Sequence, residues 1–227
     1  MAWREAIEDN GFAVLPALFP PERVDRLLQE ISQLSPPRSR AGVRHALQLD
    51  PVATIAGDRN LAEIACSVLG ARSFPFRATL FEKSPTSNWL VVWHQDTALP
   101  IRERVDVPGW GPWSVKEHVD YAHAPAGVLS QVLALRIHFD DSTAENGPLR
   151  VLPRTHMLGV LSDDDIHDLG VRITPVDCVA GKGGVVAMRP LLVHASSKLR
   201  TELPRRVLHI EYAAADSIAA PLRLAIT

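Results

Sequence analysis

The chain has 227 residues, 46% of them hydrophobic and 22% charged, and a net charge of −2. That balance suits one globular domain and excludes collagen-like, low-complexity and broadly disordered classes, while the near-neutral charge gives no electrostatic case for nucleic acid or an anionic membrane. Two cysteines, Cys66 and Cys178, stand against nine histidines, which argues against a disulfide framework or a thiolate zinc site; a bound metal would need imidazole and carboxylate.

The N-terminal stretch carries acids where a signal peptide needs a basic start and an apolar core. No apolar run approaches the ~18 residues needed to span a bilayer. The expectation is a cytoplasmic protein with reduced thiols and no membrane partner. Residues 1–70 read mainly helical. Ala2 to Asn10 is a short amphipathic segment, followed by an extended stretch from Phe12 to Leu15. Pro20-Pro21-Glu22 opens a helix with Val24, Leu27, Leu28, Ile31 and Leu34 on one face, and Pro36-Pro37 ends it. Asp58 caps another, with Leu61, Ile64, Ala65, Val68 and Leu69 on one face, closed by Gly70.

From Arg72 the period shifts from 3.6 towards 2. Candidate strands are Phe74–Lys83, Trp89–Trp93, Val132–Phe139, Leu149–Leu152, Val185–Met188, Leu191–Ser196 and Arg205–Ala213. Proline, asparagine and glycine turns separate them. Helices first and short strands afterwards predict a mainly β fold with flanking helices. This is a jelly roll spanning about 72–214, with the N-terminal helices packed on one sheet and no linker dividing 1–227. Residues 97–131 show little regular pattern and read as an active-site loop or lid.

The strongest local signal is Trp93-His94-Gln95-Asp96, directly after an apolar strand. His94 and Asp96 are two apart, so extended backbone projects both to one side. An imidazole and a carboxylate facing one way are two members of a 2-His-1-carboxylate set, which suits non-haem Fe(II) by leaving positions open. A second histidine must come from elsewhere. His194 ends the apolar run Leu191-Leu192-Val193, and Arg205 follows eleven residues later, with Arg206 as the neighbouring alternative. An arginine offers a planar fork for a carboxylate.

These motifs resemble the phytanoyl-CoA dioxygenase family of Fe(II)- and 2-oxoglutarate-dependent oxygenases. The resemblance runs from about Asn10 to Ala213. It includes Gly11-Phe12-Ala13-Val14-Leu15-Pro16, Asn88-Trp89 through Asp96, Arg136-Ile137-His138-Phe139-Asp140-Asp141, Glu145-Asn146-Gly147-Pro148-Leu149, His194-Ala195-Ser196 and Arg205 through Tyr212. It implies a double-stranded β-helix of the cupin-like kind. It implies iron on His94, Asp96 and His194, 2-oxoglutarate gripped by Arg205 with Ser196 nearby, and Trp113 approaching the cosubstrate. The implied reaction consumes O2, with ascorbate as a supporting reductant. It hydroxylates an unactivated C–H of a small organic molecule and releases succinate and CO2. Asp96 argues against halogenation, because related halogenases lack that carboxylate. One departure is Pro153-Arg154-Thr155-His156, where many members carry glycine before Ser-His. The alternatives are a non-catalytic cupin-like ligand carrier, or desaturation or cyclisation with the same iron.

Strand alternation sorts further residues. If Arg205 points inward, so do Val207, His209 and Glu211, and Arg77, Thr79, Phe81 and Lys83 share one face. Arg136 and His138 either line the substrate pocket or are buried and paired. Lys83 and Lys116 are candidates for an acidic substrate group. His118, His123, His156 and His167 read as surface loop residues. His45, near Arg38, Arg40 and Arg44, reads as part of a solvated basic stretch, with an active-site cover as the other option. Oligomeric state is not legible.

Overall fold

In the computed structural model, which describes residues 2–70 and 72–227, helices prevail up to residue 70 and strands afterwards. In chain order the elements are α1 (Ala2–Asn10), β1 (Phe12–Leu15), α2 (Pro21–Gln33), β2 (Gly42–Val43), α3 (Asp50–Ala56), α4 (Arg59–Leu69), β3 (Phe74–Lys83), β4 (Val91–His94), β5 (Ala98–Ile101), β6 (Trp113–Lys116) and β7 (Val119–His123). There follow α5 (Ala126–Leu129), β8 (Val132–His138), β9 (Leu149–Val151), α6 (Asp163–Arg172), β10 (Val176–Cys178), β11 (Val185–Met188), β12 (His194–Ser196) and β13 (Arg205–Ala213).

The helices follow their punctuation. Pro21 opens α2 and Val24, Leu27 and Ile31 form its buried stripe. The Asp58 carboxylate caps α4 by accepting the Asn60 N–H at 2.8 Å. The sequence reading omitted α3 and α6. α6 has a capping box between Ser162 and Asp165 but buries only Ile166 fully, so its apolar period is too thin to read.

The described strands form three antiparallel sheets, ordered β1-β11-β8-β13-β3-β2, β10-β9-β12-β4 and β5-β7-β6. The two larger sheets pack face to face, with Ala134, Val186 and Met188 meeting Leu149, Val151 and Cys178. This is the jelly-roll arrangement that the strand pattern predicts. The outer face of the six-stranded sheet offers Leu133, Leu135, Ile137, Leu208 and Ile210 to Ile7, Val24, Ile31, Val52, Leu61 and Ile64 of the helices, forming the largest core. The Tyr212 hydroxyl donates to the Ala56 carbonyl at 2.8 Å, tying β13 to α3.

Alternation puts the other set inside. β13 and β3 pair Arg205 with Lys83, Val207 with Phe81, His209 with Thr79 and Glu211 with Arg77. On its other side β13 pairs Val207 with His138 and His209 with Arg136. The barrel interior is therefore a ladder of polar rungs on a sheet whose back is apolar.

Residues 97–131 are not the irregular loop the sequence suggests. They hold β5, β6, β7 and α5. β6 and β7 form a hairpin turning at Glu117 and His118, with φ of 48° and 69°. Two positive φ values mark the mirror-image two-residue turn, which usually carries Asn-Gly; here neither residue advertises it. Strand edges move elsewhere. Trp89–Trp93 becomes Val91–His94, and only His194–Ser196 of Leu191–Ser196 is ladder. A turn, Leu192 N–H to the Arg189 carbonyl at 3.1 Å, precedes it. Arg154, the departure from glycine, takes a left-handed conformation with φ 72°. Cys66 and Cys178 are both free. No described helix is long and apolar enough to cross a membrane.

Candidate functional site

His94 ends β4 and His194 begins β12, and the two are register partners. Each donates its Nδ1–H to a carbonyl two residues back, Val92 and Leu192 respectively, both at 2.8 Å. A carbonyl only accepts, so Nδ1 carries a proton in each ring, and in the neutral form Nε2 keeps its lone pair. Those Nε2 atoms face Asp96, at 3.7 Å for His94 and 3.4 Å for His194. One ligand atom from each of the three lies within 4.8 Å of the others. Burial, and then the His94 charge, push His194 down to about 4, so its ring is neutral at pH 7. Burial pushes Asp96 up, but His194 and His94 outweigh it and hold the carboxylate below its usual range. Two imidazoles with Nε2 turned inward and one carboxylate, converging on one point, are a donor set of the kind that suits Fe(II).

Gln95 points the opposite way. Its amide donates to the Gly159 and Leu191 carbonyls at 2.8 and 2.7 Å and accepts from the Leu161 N–H at 2.9 Å. The Asp96 N–H donates to the Pro190 carbonyl at 2.9 Å. These bonds lock the His-x-Asp segment against the turn before His194.

Deeper in the barrel lies a cationic cluster. Arg205 is 2% exposed, and its Nε and Nη1 have no partner. Its Nη2 donates to Ser196 Oγ at 3.3 Å. Lys83, fully buried, donates to the same oxygen at 2.6 Å and to the Ser197 carbonyl at 2.5 Å. Ser196 gives its proton to the Gly147 carbonyl at 2.9 Å, so its hydroxyl is fully used and serves to position both cations. Arg136 leaves Nε unpartnered, and His138 leaves both ring nitrogens unpartnered. Burial pushes Lys83 down to about 7, Arg205 to about 9 and His138 to about 3, each aided by neighbouring arginine charge. Among the described residues Lys83, Arg136 and Arg205 have no carboxylate partner. Buried unpaired cations are costly, so this end of the barrel is built for an anion. The orphaned donors fit a carboxylate of 2-oxoglutarate.

Arg206 is excluded as the clamp. Its Nε and Nη2 hold both oxygens of Asp140 at 2.7 and 2.6 Å on the outer face. His209 accepts from Arg136 Nη1 at 2.8 Å, which leaves its Nε2–H facing Glu211 at 3.9 Å. Arg77 is ion-paired with Glu211 and donates to the Ala98 carbonyl at 2.8 Å.

Beside the triad is a cavity of about 330 Å³, lined by His94, Asp96, Arg77, Lys116, Tyr121 and His123 and reaching Thr79, Phe81 and His209 of the barrel interior. Sequence reasoning weighed Lys116 for this role and missed Tyr121 and His123, because the strand carrying them was not recognised. His123 is exposed, as expected, but it ends β7 instead of lying in a loop, and Thr97 Oγ1 lies 2.7 Å from its Nδ1. His45 is not part of a solvated stretch. It is 8% exposed and its Nε2 lies 3.2 Å from the Tyr121 hydroxyl. Trp113 does not line this cavity. It shares a face of β6 with its partner Ala122 and packs on the apolar cluster of Phe76, Leu99 and Ile101, while Lys116 lies three residues along on the opposite face. Lys83, Arg136 and His138 lie inside the barrel with Arg205 and do not line the cavity, although Arg136 touches its lining residues His209 and Phe81.

The phytanoyl-CoA dioxygenase (PhyH) family model matches residues 7–207. None of the curated proteins compared matches the chain. Among solved structures, the chain is similar to AviO1 from Streptomyces viridochromogenes Tue57, at 22% identity and TM-score 0.68 over 93% of each chain. It is similar to Fe-bound EctD from S. alaskensis, at 19% identity and TM-score 0.68 over 92% of this chain and 75% of that one. It is also similar to the epimerase SnoN in complex with Fe3+, alpha-ketoglutarate and nogalamycin RO, at 16% identity and TM-score 0.71 over 95% of this chain and 83% of that one. These likenesses establish a shared fold. Taken with the match over residues 7–207, they mean that the chain belongs to the phytanoyl-CoA dioxygenase family of iron- and 2-oxoglutarate-dependent oxygenases.

Proposed function

We propose that this oxygenase hydroxylates an unactivated C–H bond of a small organic molecule. The observation that carries the reading is the convergence of His94 Nε2, His194 Nε2 and the Asp96 carboxylate, with two unpartnered Arg205 nitrogens deeper in the same barrel. Iron would be held by those three side chains. The distal carboxylate of 2-oxoglutarate would be held by Arg205, with Lys83 and Ser196 as positioning residues and His138 within the same cluster. When bound, iron and 2-oxoglutarate supply the oxidation: one atom of O2 leaves in succinate, with CO2 released, and the other enters the substrate.

The protein's share is orientation and exclusion of water. The carbonyls of Val92 and Leu192 fix both imidazoles before any metal arrives, so little reorganisation is needed. Phe81 lies between the two ends of the barrel, its ring 5.7 Å from His209 and 6.0 Å from Trp89. Aromatic surface there would exclude water and strengthen a carboxylate–arginine contact. The cavity beside Asp96 leaves room for a small substrate.

The test is succinate release by purified protein with Fe(II), ascorbate, 2-oxoglutarate and 18O2, followed by mass analysis of products from a substrate panel. One 18O atom in the organic product is the expected result. Succinate formation with a product lacking 18O would replace hydroxylation by desaturation, cyclisation or epimerisation. Failure to bind 2-oxoglutarate would favour a ligand carrier on the same fold.

A further inference from the structure

We infer that the cavity beside His94 and Asp96 is an oxyanion subsite, which binds a carboxylate or phosphate carried by the substrate through Lys116 and Arg77. The inference rests on the functional reading above, and it names the class of molecule that reading leaves open.

The cavity wall opposite the triad is cationic. Arg44 lies 3.6 Å from Glu117, and Arg77 is matched by Glu211. Lys116 has no carboxylate partner among the described residues. Its Nζ sits 4.6 Å from the centre of the Tyr121 ring. That ring is held in place from behind by His45. Lys116 is half-buried at the end of β6, and its pKa is lowered by burial and then by the charges of Arg77 and Arg44. Cations crowded together at a cavity wall repel one another unless an anion joins them. Asp96, the acid on the facing wall, is committed to the metal. Arg77 spends Nε on Glu211 and Nη1 on the Ala98 carbonyl, and its Nη2 has no protein partner among the described residues. Two cationic groups thus face one cavity with donors to spare.

The cosubstrate does not account for them. Arg77 and Lys83 are six residues apart on β3, roughly 20 Å of extended backbone. The carboxylates of a five-carbon diacid are about a third of that distance apart. A diacid anchored at Arg205 and the triad therefore leaves Arg77 and Lys116 for something else. The cavity of about 330 Å³ is of the size that holds a small molecule.

The experiment is calorimetric titration of the full-length protein with benzoate, with inorganic phosphate and with benzamide as the uncharged match. Each is run with and without saturating 2-oxoglutarate. Benzoate, phosphate or both are expected to bind with a Kd of ~1 mM, and benzamide is not. Benzoate alone points to a carboxylated substrate, and phosphate alone to a phosphorylated one. Lys116→Met is expected to weaken the bound anion at least fivefold, roughly 1 kcal/mol, while 2-oxoglutarate changes its affinity less than about twofold. Four results overturn the inference: no saturable binding of either anion up to about 10 mM, equal binding of benzamide, unchanged affinity in Lys116→Met, or displacement by 2-oxoglutarate. A wild-type protein that binds no 2-oxoglutarate but holds benzoate through Lys116 would refute the functional reading and leave the subsite standing.

Discussion

The two ends of the barrel interior carry similar positive charge and balance it differently. At the mouth, Arg77 is matched by the buried carboxylate of Glu211. At the deep end, Lys83, Arg136 and Arg205 are buried around unpartnered nitrogens, with no carboxylate partner among the described residues. Arg77 is thus anchored by the fold and keeps only its Nη2 for the cavity, beside Lys116. The deep cations have no such anchor, and in the proposed function their counter-ion is the cosubstrate. Burial alone does not separate these roles; the presence or absence of a protein partner does.

Removing each arginine breaks the comparison in opposite directions. Arg77→Met leaves Glu211 buried without its partner, and should lower stability by about 3–5 kcal/mol in chemical denaturation. Arg205→Met removes an unpaired buried cation, so stability should hold or rise. Its 2-oxoglutarate affinity should fall at least about 100-fold, near 2.7 kcal/mol, in a binding titration. If Arg205→Met unfolds the protein as severely as Arg77→Met, the distinction between the two ends is wrong.

Acid sharpens the contrast. His138 is held neutral down to about 3 in the fold, because burial, then Arg136 and Arg205, disfavour its charged form. Unfolded, it takes a proton near 6.5. Between those values the unfolded state binds more protons, so stability falls as pH drops through the window. The slope from this residue is up to about 1.4 kcal/mol per pH unit. His138→Leu should flatten the stability profile between pH 6 and 4, as followed by urea midpoints. The smallest effect concerns the mouth hairpin. His118 has φ 69°, and His118→Gly should stabilise by about 0.5–1 kcal/mol in thermal melts. It should leave 2-oxoglutarate binding unchanged, since the turn is remote from Arg205.

The deep end was legible in the sequence because it is written in regular strand. Alternation alone placed Arg205, His209 and Glu211 on one face of β13, and Arg77, Thr79, Phe81 and Lys83 on one face of β3, as the register shows. The resemblance favoured Arg205 over Arg206 by its spacing from His194; strand pattern alone does not separate them, because both begin the same strand, and the physical distinction is Asp140. The mouth was not legible. β5, β6 and β7 are four or five residues long, and their hairpin turns on glutamate and histidine instead of glycine. Lys116, Tyr121 and His123 therefore carried no period from which a shared wall could be read. Ser196 shows a subtler limit. The resemblance put it near the cosubstrate carboxylate, but its one proton goes to Gly147, and that is visible only in three dimensions.

The central claim is that His94, Asp96 and His194 hold iron while Arg205 holds 2-oxoglutarate in one site. Anaerobic addition of Fe(II) and then 2-oxoglutarate tests it directly, through the metal-to-ligand charge-transfer absorption that a keto acid chelated to Fe(II) produces. The band should appear in the wild type, vanish in His94→Ala, and require a much higher 2-oxoglutarate concentration in Arg205→Met. A well-folded wild type without the band, or a His94→Ala protein with the band at full strength, would contradict the assignment.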